Sequence, residues 1–117
     1  MKARPLNPFA LTDALVARDK KALWLQLRTL LDNGLRGEEI VGTLWWQLKT
    51  MRMAGLTKSA EEAGMKDFSY NKAKQALRKY SKEEVERLSQ ELLVLYHDAH
   101  AGKGDMELSL EKWVLGV

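Results

Sequence analysis

Few residues in this chain are of a type and spacing that could do chemistry. His97 and His100 stand three apart, a spacing at which two helical side chains can share a metal. No third ligand is suggested nearby, and the Glu-x-x-His pattern of di-iron bundles is missing. His97-Asp98 is similar to the His-Asp pair of metal phosphohydrolases, but it is only a dipeptide, and the two histidines read as surface or boundary residues. AGKGD (101–105) has glycines and a lysine without the spacing of a phosphate loop, and it follows a helix rather than a strand. Both histidines come from one helix and no activated-serine turn is present, so no Ser-His-Asp constellation is expected. The chain has no cysteine, which excludes disulfides, thiolate metal sites and a cysteine nucleophile. The expectation is a protein with no catalytic, cofactor-binding or metal-binding residues.

The segment 59–81, SAEEAGMKDFSYNKAKQALRKYS, is the most distinctive. It reads as a short helix (59–63), a glycine-broken turn (64–68) and a basic helix (69–80), which is the outline of a helix-turn-helix. Lys72 and Lys79 are seven apart and share a face beside Gln75, with Lys74 and Arg78 on the same helix and Lys66 and Lys82 nearby. Three uses of these cations are open: a solvated face opposite Ala73, Ala76 and Leu77, a charged rim meeting an acidic partner, or contact with DNA phosphates.

The elements that position these residues are all helical. Asn7-Pro8 starts a helix carrying Leu11, Leu15 and Val16, since asparagine caps and proline suits the first helical position. Asp19 caps a second, with Leu23, Leu27, Leu30 and Leu31 on one side and Gly34 as its end. Glu38 and Glu39 suit the start of a third helix. Its stripe is Ile40, Val41, Leu44, Trp45, Leu48 and Met51, and Gly55 is its stop. Ser59 and Glu62 have capping-box spacing, as do Ser81 and Glu84. The latter pair opens the longest helix, with Val85, Leu88, Leu92, Leu95, Tyr96 and Ala99 aligned. Asp105 caps a closing helix with Met106, Leu110, Trp113 and Val114. No strand alternation is sustained. The fold class expected is all-α, a compact bundle of about six to seven helices spanning 7–117 as one domain, with 1–6 as a flexible lead-in.

The 117 residues, 45% apolar and 30% charged, suffice for a core without cross-links. The formal net charge of +3 is too small to argue for nucleic acid by itself. No apolar run has membrane-spanning length and the start lacks a signal-peptide core, so a cytoplasmic location is expected.

The order of these elements resembles the C-terminal domain of the bacterial DNA polymerase III delta subunit, of the clamp-loader family. NPFALTDAL, ARDKKALWLQLRTLLDNG and EEIVGTLWWQLKTMRMA are similar to its first three helices, the first of them through the FxLxDA pattern. AEEAGMKDFSYNKAKQALRKYS follows its short helix, its Gly-apolar-x-x-aromatic turn and its Lys-Ala helix ending in Ser. SKEEVERLSQELLVLYHDAHAGKGD and ELSLEKWVL resemble its last long helix and its closing helix. The likeness covers roughly 7–115 and rests on the collinear series, since no one motif is specific. Family turns often carry His-Pro where this chain has Lys66-Asp67. The two N-terminal AAA+-like modules of the full subunit have no counterpart in this sequence. It is therefore expected to be a C-terminal fragment or a stand-alone relative, and clamp opening is not carried over to it.

The resemblance implies a non-catalytic collar domain that docks side by side with the helical domains of other clamp-loader subunits, delta-prime and the ATPase subunits. The isolated domain is expected to be mainly monomeric. Trp46 falls off the main stripe of the third helix, near Met53. It is either buried by a second layer of this chain's own helices or exposed as a partner anchor. The candidate interface residues are Trp46, Lys49, Met53, Lys72, Arg78 and Lys79. The alternative is a small DNA-binding protein that uses the helix-turn-helix at 59–81.

Overall fold

Each helix start in this computed structural model, which describes residues 7–117, follows from a local polar contact or a charge. The expected lead-in, 1–6, lies outside the described residues. Asn7 Oδ1 accepts from Phe9 N at 3.0 Å and opens α1 (Pro8–Val16). Asp19 Oδ1 accepts from Ala22 N at 3.0 Å and opens α2 (Lys20–Asp32). The longest helices are α3 (Gly37–Gly55), with Glu38 and Glu39 in its first turn, and α6 (Lys82–His100), which carries the complete Ser81–Glu84 capping box. Asp105 caps α7 (Met106–Leu115) through Leu108 N. All seven helices expected are present among the described residues, with no strand between them.

The corner at 59–81 differs in detail from expectation. Ser59 accepts from Glu62 N and caps α4 (Ala60–Ala63), but Glu62 returns its bond to Lys58 N rather than to Ser59 N. Gly64 closes α4 in the left-handed region at φ 70°, where a side chain would be strained. Next, α5 spans Asp67–Ala76, beginning two residues before the expected start and ending four before the expected end. No side chain caps it; Asp67 in its first turn favours the positive helix end. Residues 77–79 continue as a turn, so Tyr80 reaches the core from a non-helical backbone.

The core is centred on α3, which packs on α6, α5, α1, α7 and α4. Ile40, Leu44, Leu48 and Met51 of α3 are fully buried with Leu88 and Leu92 of α6, Ala73 and Ala76 of α5, and Leu11 and Leu15 of α1. A second layer joins α1 to α2 and α2 to α7 through Leu23, Leu27 and Leu110. Trp113 Nε1 donates to Leu88 O at 2.9 Å, so α7 is keyed to α6 by a bond as well as by packing. Gln47 is the polar exception on the buried face of α3: it is 1% exposed and its Oε1 has no donor among the described residues.

Candidate partner interface

Among the described residues, none covers the outer side of α3. Gly42, Trp46, Lys49, Met53 and Leu56 are all exposed, separated by four, three, four and three residues. That alternation puts them on one face, in the spacing of a coiled-coil seam. Trp46 lies two residues from the buried Leu44, about 200° around the helix, so it points away from the core. It is 50% exposed, and Leu56 just past the helix end is 72% exposed. Among the described residues, no second layer of helices buries Trp46. Phe9 of α1 extends the stripe beyond its upper end, sharing with Trp46 a shallow depression lined also by Thr12, Glu39, Gly42 and Thr43. Three of the six candidate residues, Trp46, Lys49 and Met53, therefore lie together.

The other three sit elsewhere, and they do not act alike. Lys72 is turned inward: its ammonium lies 2.6 Å from Asp13 and 3.1 Å from Thr12 Oγ1, and its side chain is only 15% exposed. It ties α5 to α1, so a phosphate would have to compete with Asp13 for it. Lys79 is exposed and donates to Ala17 O at 3.0 Å. Arg78 projects into solvent. Between α1 and α5 runs an open groove in which Lys72, Gln75 and Lys79 face Asp13 and Val16, with Phe68, 76% exposed, beside them. The shared face of Lys72, Gln75 and Lys79 is thus present, but much of its charge is engaged within the domain. Lys74, on another side of α5, donates to Thr57 O at 3.2 Å.

The most elaborate polar cluster was not anticipated from sequence. Arg18, at φ 53° in the α1–α2 corner, donates to Lys79 O and pairs with Glu84, while its guanidinium stacks on Tyr80. The Tyr80 hydroxyl in turn donates to Leu15 O. The Arg18 hydrogen bond, aided by the Ser81 backbone N–H, holds the Glu84 carboxyl down at about 2. Burial pushes the Tyr80 phenol up to about 12, against the opposing pull of Arg18. A second crossing, Arg28 to Glu111 at 2.8 Å, ties α2 to α7, and the Glu111 hydrogen bond raises the Arg28 pKa. These contacts join elements distant in sequence and act as structural clamps: Arg18 and Tyr80 tie the α1–α2 corner to the start of α6, and Arg28 ties α2 to α7.

His97 and His100 are both exposed. His100 lies 3.4 Å from Glu38, and no group of three or more metal-ligating side chains is close enough to hold an ion among the described residues. No helix among them is long and apolar enough to cross a membrane.

No protein-family model, curated protein or solved structure matches the chain. What the surface offers has therefore to be read from its own chemistry. Besides the α3 stripe, Trp24 and Leu25 of α2 and Leu108 and Leu115 of α7 are exposed apolar residues on helices that pack together. Where exposed apolar residues join into a large patch, they mark surfaces that contact proteins, membranes or ligands.

Proposed function

We propose that this domain is a non-catalytic docking module of the clamp-loader delta-type collar, which holds neighbouring helical subunits in place by lateral contact. The observation that carries the reading is the solvent-facing stripe Gly42–Trp46–Lys49–Met53–Leu56 on the most central helix of the domain. Aromatic and methionine side chains on such a face supply buried apolar area on association, and a tryptophan within it suits a hot spot. Gly42 lets a partner helix approach closely, because nothing occupies the space a Cβ would take there. A ring member also needs two neighbours, and the separate apolar exposure on α2 and α7 supplies a second surface. The partners this reading takes, delta-prime and the ATPase subunits, are those that the resemblance over 7–115 implies.

Co-purification and size-exclusion chromatography with those subunits test the reading. The wild-type domain is expected to co-elute with them, and Trp46→Asp to remain folded but elute alone. A full-length delta subunit that still joins the complex after its counterpart of this segment is deleted would rule the reading out.

A further inference from the structure

The lower end of the α3 stripe opens into a groove of about 520 Å³ between the end of α3, the turn after α5 and the start of α6. Its walls are apolar: Met53 and Leu56 on one side, Leu77, Tyr80 and Val85 on the other. Its rim is basic. Lys49, Arg52 and Lys82 border it against one carboxylate, Glu86, and none of these four forms an ion pair with another described residue. Arg52 adds a more specific signal. Its guanidinium lies 5.3 Å from the Trp45 ring, and its Nε is buried with no acceptor among the described residues. An unmatched buried donor beside an apolar groove favours an incoming acceptor.

We infer that this groove captures an acidic, apolar peptide segment of a partner protein, whose carboxylates meet Lys49, Arg52 and Lys82 while its apolar side chains fill the channel. The inference rests on the docking reading and specifies the chemistry of the partner. An elongated occupant is favoured over a compact small molecule, because Lys49, Met53 and Leu56 belong to both the groove and the stripe. From Trp46 to Leu56 the contact track runs about 15 Å along α3. An acidic occupant is favoured over a second copy, because the chain itself carries a formal charge of +3 and would bring like-charged rims together.

Fluorescence anisotropy of a labelled synthetic peptide, aspartates followed by isoleucine, leucine and phenylalanine, tests this. The full chain is expected to give a saturable rise that weakens with added salt. Leu56→Asp and Lys82→Glu, both at exposed positions and checked for helicity, are each expected to weaken binding at least about fivefold. Lys103→Glu, an equal charge reversal at an exposed position away from the groove, should bind the peptide like wild type. The proposal is overturned by no saturable rise, by equal binding of a peptide with lysines in place of the aspartates, or by unchanged affinity in Leu56→Asp. Self-association that Leu56→Asp abolishes would assign the groove to a second copy and overturn it as well. Peptide binding without co-elution of the clamp-loader subunits removes the collar reading alone. Co-elution without peptide binding removes the groove assignment alone.

Discussion

Arg18 stacks on the ring of Tyr80, its guanidinium carbon 4.6 Å from the ring centroid, while one of its nitrogens pairs with Glu84. Three places distant or adjacent in sequence meet there: the α1–α2 corner, the turn after α5 and the N-terminus of α6. The Glu84 carboxyl, at about 2 in the folded protein, is well below its ordinary value of 4.5. The unfolded chain therefore binds the proton first as pH falls. The stabilisation from this carboxylate is complete above about pH 4.5 and disappears as pH falls toward 2. Urea unfolding midpoints measured over that window should fall with acidity in the wild type and fall less steeply in Glu84→Gln. Equal slopes would mean that the pair does not couple to folding.

Tyr80 should show the opposite limb. With its folded value near 12 against an ordinary 10, the unfolded chain loses the phenolic proton first, so stability is lost as pH rises from about 10 to 12. Of the three tyrosines, one should form tyrosinate late in an absorbance titration, and Tyr80→Phe should remove that late step. The same substitution deletes the bond to Leu15 O, which still accepts from Arg18 N at 3.0 Å, so the cost should be that of one ordinary hydrogen bond, about 0.5–1.5 kcal/mol.

Leu44 and Trp46 are two residues apart on α3, and substitutions at them should separate stability from binding. Leu44→Ala removes a fully buried side chain and should cost about 2–5 kcal/mol in denaturant unfolding. Trp46→Ala should change stability by no more than about 0.5 kcal/mol, yet weaken partner capture by 2 kcal/mol or more if it is a hot spot, using ~2 as the usual threshold. A large loss of stability in Trp46→Ala would mean that the ring belongs to the core.

Gln47 places an amide inside the bundle with an unmatched oxygen. Gln47→Met keeps a similar shape without the unpaired acceptor and should be neutral or stabilising by up to about 1–2 kcal/mol. A loss of more than about 1 kcal/mol in thermal or urea unfolding would show that the amide is matched in solution, by water or by a rearranged neighbour.

Gly64→Ala should destabilise by about 1–2 kcal/mol, because the αL conformation at φ 70° closes α4. Nothing lies within 4 Å of an added Cβ there, so the effect is conformational and Gly64→Asn should recover part of it. Equal midpoints for glycine and alanine would refute the assignment.

What could be read from the sequence was local. The caps at Asn7, Asp19, Ser81 and Asp105 each depend on residues two or three positions away, and their stripes repeat at helical spacing. Where the local signal was weak, the boundaries moved: α5 starts at Asp67 because dipole and tertiary packing replace a capping side chain. The Arg18 cluster was illegible, since its bonds join residues 61 to 66 positions apart and it needs a non-glycine residue at positive φ. Nor could a helical wheel reveal that Lys72 is engaged by Asp13, which depends on how α1 crosses α5. For Trp46 and Met53 the seven-residue interval fits a buried or an exposed stripe equally. The four-three alternation from Gly42 to Leu56 was available in the sequence, but only burial tells which side of α3 it occupies.

That α3 is held by five other helices has a consequence for whatever binds its open face. The stripe is a rigid template, with its backbone fixed by the same packing that makes the core. A partner therefore meets a preorganised surface and need not order it, so the entropic cost of association falls mainly on the partner and on a few side-chain rotamers. Recognition by such a face is set by geometric fit. It should tolerate little insertion or shortening within α3, because a one-residue change would rotate half of the template by about 100° relative to the other half.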